Sequence, residues 1–187
     1  TDGDGNMLRL SNGNYALFDE LPDAFESIGN NRVADQNDSL EIPSFLSYSR
    51  YSETDYKVQM LKASYTLHDP VNATGSTYSV TLTTAATDDT LFPGPGGTCT
   101  VSRNGFTGSS MITGSVSELR LDSVTLDGRN EETTASGAIV KVNSGRLYVN
   151  SSATLKNGRT RYSGGAVYVE TGASLYSFDG KIQNCTA

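Results

Sequence analysis

The 187-residue chain has no tryptophan, one histidine, two cysteines and five prolines. It also lacks an unbroken apolar run of about 18 residues, the length that would mark a membrane-spanning helix. Any Ser-His-Asp or Cys-His chemistry would have to pass through the single histidine, His68. His68 lies in TLHDPVNATG, at a strand-to-loop edge, where an ordinary surface histidine is expected. The Asp69-Pro70 bond beside it matches no self-cleaving pattern. Cys99 and Cys185 have no CxxC or CxxH spacing, which argues against zinc. Two free thiols and a disulfide both remain open. Fourteen basic residues stand against 21 acidic ones, for a net charge of −7 with no basic run. Nucleic acid is therefore a poor partner, and attraction to an anionic membrane surface is not expected. The mild acidic surplus reads as solubility. There is no signal-peptide pattern. The chain opens on TDGDGN and stops on a strand-like run, so both ends read as cut from a longer protein.

The rest is rich in Ser, Thr, Gly and Asn, with ten tyrosines, a composition that suits strands and turns. Three segments repeat. SSMITGSVSELRLDSVTLDG starts at Ser109, GAIVKVNSGRLYVNSSATLKNG at Gly137 and GAVYVETGASLYSFDGKIQNC at Gly165, 28 residues apart each time. The alignment places Ser110, Ala138 and Ala166 in one column and Met111, Ile139 and Val167 in the next. Leu119, Leu147 and Leu175 form another, and Leu126, Leu155 and Ile182 a fourth with a small drift. Each unit holds three short strand-like runs bounded by turn formers, and no 3.6-residue period runs through them.

Three strands per repeat at fixed period, with no intervening helix, predict a coil whose successive turns pair in parallel. The expected fold is therefore all-β, a right-handed parallel β-helix of about four turns. Its hand follows the general crossover preference. A β-sandwich would instead show hairpin turns and no 28-residue register.

The phrase GGAVYV…GASLYSFDGKIQNCTA resembles the repeats of right-handed parallel β-helix regions in large bacterial surface proteins and adhesins, which share the pectin-lyase-like fold. It is also similar to the GGAI-type repeats of polymorphic outer-membrane adhesins. The stretch YSVTLTTAATDDTLFPGPGGTCTVSRNGFTGSSMITGS looks like the segment that precedes such repeats, so the resemblance covers residues 78–187. It implies a non-enzymatic, extracellular surface adhesin that binds a glycan or protein ligand on a host or neighbouring cell. The alternatives are a carbohydrate-active enzyme of the pectin-lyase type and a passive stalk. No cofactor and no membrane insertion are expected. A solenoid ending mid-repeat would leave an open strand edge for end-to-end self-association.

Residues 1–60 read as an N-terminal segment and 61–187 as the β-helix, truncated at its C-terminal end. In ELPDAFESIGN, Pro22 suits a first helical position, Asp23 the first turn and Gly29 a stop. Leu21, Phe25 and Ile28 share a face, which predicts a short helix over 21–28 that caps the open first coil. NNRVADQNDS reads as a loop. Residues 91–108, rich in Gly and Pro, read as a long protruding loop with a short strand at Cys99 and Val101.

Asp2 opens a calcium-loop-like DGDGN, but the sixth and twelfth positions hold Met7 and Gly13 and the motif fails. Asp88, Asp89, Asp122 and Asp127 do not converge as a catalytic groove requires, and read as solvated acids. Asn150 and Lys156 fall near the positions of Asp122 and Asp127 one coil on. The sequons at Asn37, Asn72, Asn150 and Asn184 read as chance. Asn157 and Asn184 end equivalent strands, where an amide ladder is expected. One column carries a binding expectation. Arg120, Tyr148 and Tyr176 stand 28 residues apart, each between inward candidates, so they face out. With Tyr168 nearby, they form the candidate ligand-binding stripe, against a purely structural role in cross-strand pairing.

Overall fold

A computed structural model describes residues 8–10, 17–18, 20–29, 55–88 and 94–187. The calcium-like DGDGN, the NNRVADQNDS segment, Asn37 and Asp89 lie outside the described residues. The chain begins with strands β1 (Leu8–Leu10) and β2 (Leu17–Phe18), then helix α1 (Leu21–Gly29). Five coils follow. The first holds β3 (Asp55–Met60) and β4 (Ser64–Leu67), the second β5 (Val71–Thr84) and β6 (Cys99–Arg103). The third holds β7 (Ile112–Leu121), β8 (Val124–Asp127) and β9 (Glu132–Thr133). The fourth holds β10 (Val140–Val149), β11 (Thr154–Lys156) and β12 (Arg159–Thr160). The last holds β13 (Val167–Val169), β14 (Ser174–Ser177) and β15 (Lys181–Gln183).

The first sheet runs β13-β10-β7-β5-β3-β1-β2 with β14 also on β10, the second β15-β11-β8-β6-β4, and the third pairs β12 with β9. Among the described residues every pairing between coils is parallel, and the antiparallel pairs are those of β1 with β2 and β3. The chain is an all-β parallel solenoid, a β-helix of about four turns, and a sandwich is ruled out.

Parallel pairing stacks like on like. One inward column of the second sheet is Tyr65, Val101, Leu126, Leu155 and Ile182. One of the first sheet is Tyr56, Val80, Leu119, Leu147 and Leu175. Val101, Leu126, Leu155, Val80, Leu119 and Leu147 are all buried. Burying apolar side chains of this size contributes roughly 1.5–3 kcal/mol each, which makes the columns the main source of stability. In the last coil the same columns emerge, with Leu175 38% and Ile182 47% exposed.

Helix α1 sits at the other end, with Leu21, Ala24, Phe25 and Ile28 in the common core. It is tied down by Tyr65, which accepts a hydrogen bond from the Leu21 N–H at 2.9 Å and donates one to the Glu20 carboxylate. Burial and that carboxylate push the Tyr65 phenol well above its ordinary pKa.

Three expectations need correction. Val167 pairs with Val140, not Ile139, so this column steps by 27 residues while Leu147–Leu175 keeps 28. The extra residue lies in the turn between Val169 and Ser174, which spans five steps where Val142 to Arg146 takes four. The first two runs of each unit are separate strands only in the last coil. In β7 and β10 they fuse, with register shifts around Ser144. Gly145 allows this: its φ is 75°, and a Cβ there would run into the Val116 and Ser117 carbonyls. The short strand expected at Cys99 and Val101 is β6, but it is no part of a protruding loop: it takes a full place in the second sheet between β4 and β8.

β6 also carries a side chain the pattern did not announce. Arg103 is fully buried. Its guanidinium donates to the carbonyl oxygens of Phe106 at 2.9 Å, Ser109 at 3.1 Å and Ala138, and lies 4.8 Å from the Phe106 ring centroid. Burial lowers its pKa to about 10, with Glu131 pulling upward, so it stays charged at neutral pH. It ties the irregular second coil to the regular coils that follow. Replacing it strands the carbonyl oxygens it caps. Arg103→Met is expected to lower the unfolding free energy by about 3 kcal/mol, measured by urea denaturation.

The two cysteines are free thiols. Cys99 is fully buried, and burial pushes its pKa up to about 12, whereas Cys185 is partly exposed. Thiol titration with a colorimetric disulfide reagent should therefore label one cysteine rapidly in the native protein and both in denaturant.

Candidate functional site

The outward face of the first sheet holds the predicted stripe. Alternation along a strand sends Leu119 and Leu121 inward and Arg120 outward, and the same holds for Tyr148 between Leu147 and Val149. Parallel register then sets Arg120 opposite Tyr148 and Tyr148 opposite Tyr176. The Arg120 guanidinium lies 4.2 Å from the Tyr148 ring centroid. The Tyr176 ring lies 5.1 Å away on the other side, tilted by 15°. Tyr148 is thus sandwiched, with a cation on one face and a ring on the other. Such contacts contribute roughly 0.5–1.5 kcal/mol apiece.

This geometry changes what the stripe can do. Along most of its length the ring faces are already occupied, and a sugar cannot stack on them. Among the described residues, the exposed rings of the stripe lie in the last coil. There Phe178, two residues beyond Tyr176, lies 6.3 Å from Tyr148 and within 10° of parallel to it. Tyr176 and Phe178 form a two-ring platform, 41% and 58% exposed.

Tyr168 does not join it. Its register partner is Lys141, whose ammonium lies 5.9 Å from the Tyr168 ring centroid, in a separate column of the same face. Lys141 also pairs with Glu170 at 3.2 Å.

Sequence reasoning missed the charged neighbours. Glu118 and Arg146 stand opposite each other in register and two residues before Arg120 and Tyr148. Glu118 binds Arg120, pairs with Arg146 at 3.3 Å, and accepts the Ser79 hydroxyl at 3.4 Å and the Tyr148 hydroxyl at 3.4 Å. Partial burial works to raise the Glu118 pKa, but Arg120, Arg146 and Ser79 outweigh it and hold the carboxyl below its ordinary range. The i, i+2 spacing of Glu118 and Arg120, and of Tyr176 and Phe178, would have found both groupings.

Asp127 and Glu132 are also engaged across coils. Asp127 takes the Asn157 amide at 2.9 Å, the Arg129 N–H at 2.8 Å and Lys156 at 3.3 Å. Burial raises its pKa, and these partners bring it below the usual value. Asn157 and Asn184 occupy matching corners with φ of 56° and 53°, but the Asn157 amide goes to Asp127 rather than into a ladder with Asn184. Glu132 holds Arg161 and, at 2.9 Å, Arg159. His68 is exposed, its Nδ1 3.0 Å from the Asn104 amide. Among the described residues no three His, Cys, Asp or Glu side chains are grouped to hold a metal ion. Nor, among them, is any helix long and apolar enough to cross a membrane. Comparisons with protein-family models, curated proteins and solved structures find no match to this chain.

Glu118 gives the stripe a pH dependence. Its folded pKa lies below the unfolded value of about 4.3, so its contribution is complete above that pH and fades as the pH falls through the lower folded value. Glu118→Gln should cost about 1 kcal/mol at neutral pH, the scale of a surface ion pair. The gap to wild type should close below about pH 4. Denaturation curves collected across that range test both the size and the direction.

Proposed function

We propose that the chain is a non-enzymatic binding region of a bacterial surface adhesin, displayed outside the cell and attaching to a glycan or protein ligand on a host or neighbouring cell. The observation that carries this reading is the outward aromatic row of Tyr148, Tyr176 and Phe178, backed by Arg120. Flat aromatic faces held without rotational freedom lose little entropy when a sugar ring settles on them. Arg146 beside the platform adds polar reach. The resemblance to surface-protein repeats supports the extracellular setting. A glycan-cleaving site uses a carboxyl raised in pKa as general acid. Here Glu118, Asp127 and Glu132 all shift the other way, engaged by basic and amide partners.

A glycan-array screen of wild type beside a Tyr176→Ser/Phe178→Ser double variant tests the reading. Both side chains lie in the last coil and at the surface, so the variant should keep its circular dichroism spectrum. Binding weakened by at least about tenfold in the variant is the expected result. Equal binding by both proteins would move the site away from the platform. Silence on glycans and on displayed surface proteins alike would favour the passive stalk.

A further inference from the structure

We propose that the chain modifies itself at Asn104–Gly105, closing a succinimide ring there that water opens to aspartate or isoaspartate. Two Asn-Gly pairs lie within the described residues, Asn104–Gly105 and Asn157–Gly158. At the first, the stacking of three coils gathers the groups this reaction uses. Asn104 follows β6, and its N–H donates to the Leu67 carbonyl oxygen at 2.9 Å, which sets it beside His68 at the close of β4. The Asn104 side-chain nitrogen lies 3.0 Å from His68 Nδ1. The Gly105 N–H donates to the carboxylate of Glu131, from the third coil, at 3.0 Å. His68, Asn104 and Gly105 are all exposed. Gly105 has a φ of 83°, and a Cβ there would meet no described atom within 4 Å, so its nitrogen is unshielded.

The Gly105 nitrogen attacks Cγ of Asn104. A bond forms between them, and the N–H proton passes to the Glu131 carboxylate that already holds it. The Cγ–Nδ2 bond then breaks, and the protonated ring of His68 gives its Nδ1 proton to the departing nitrogen, which leaves as ammonia. Glu131 returns its proton to solvent and His68 takes one up. Water adds to either carbonyl carbon of the ring and opens it, with no oxidant or reductant involved. The Asn157–Gly158 pair lacks this arrangement. The Asn157 amide is held at 2.9 Å by Asp127, and the buried Gly158 N–H lies on the Cys185 sulfur at 3.4 Å, a weak proton acceptor. Either product adds a carboxylate next to Glu131. Isoaspartate also lengthens the backbone between Arg103 and Phe106, whose carbonyl oxygen Arg103 caps. The reaction needs no ligand, and its failure would leave the binding reading untouched.

Peptide mapping by mass spectrometry of the folded 187-residue chain, sampled during incubation in neutral buffer, tests this. In wild type, Asn104 should convert at least about tenfold faster than Asn157, a reading that needs no variant. Glu131→Gln keeps an oxygen to accept the Gly105 N–H but cannot take its proton, and His68→Gln cannot supply one. Each should slow Asn104 by at least about tenfold and leave Asn157 unchanged, with the circular dichroism spectrum retained. Conversion at Asn104 no faster than at Asn157, a rate at Asn104 indifferent to either folded variant, or equal slowing at both asparagines would each overturn the proposal.

Discussion

Parallel pairing of one coil on the next is the constraint from which everything else here follows. A coil can dock only if it presents its backbone groups and its inward side chains where the coil before it did. That demand builds the columns of Val101, Leu126 and Leu155 and of Val80, Leu119 and Leu147. It also dictates the corners, where Asn157 and Asn184 take the left-handed conformation at matching positions. Where the demand cannot be met residue for residue, the chain absorbs the difference locally. Gly145 kinks β10, and the turn after Val169 takes one residue more than the coil before it.

The same constraint orders the surface. Stacked coils bring outward side chains into rows as regular as the buried ones, so cross-coil ion pairs recur: Glu118 with Arg146, Asp127 with Lys156, Glu132 with Arg159. Each is individually modest in water. Their larger effect is to hold the carboxylates charged and the outer face in one arrangement. Arg103 is the exception, a charge drawn inside to satisfy carbonyl groups where irregular coils give way to regular ones.

Ladder geometry links fold to function with an unexpected consequence. Stacking that makes Tyr148 rigid also hides both its faces, so regularity itself removes most of the stripe from binding. Among the described residues, the exposed rings of this row are Tyr176 and Phe178 of the last coil. That coil is also where the apolar columns surface.

The solenoid was legible from the sequence because the spacing of Leu119, Leu147 and Leu175 is a direct record of coil length, and a column of like residues is what stacking selects. The capping helix was legible from Leu21, Phe25 and Ile28 for the same reason: burial on one face imposes a period. So was the outward direction of Arg120, Tyr148 and Tyr176, through strand alternation. The register of Val167 was not, since Ile139 and Val140 are both fully buried and either makes an acceptable apolar partner. The full place of β6 in the second sheet was not legible because its coil departs from the 28-residue period, and the burial of Arg103 was not because a charged residue does not signal the interior. Which ring faces are open belonged to the tertiary structure alone. Spacing states which residues are neighbours, but the tilt of the rings and what lies on each face depend on how side chains from three coils pack together.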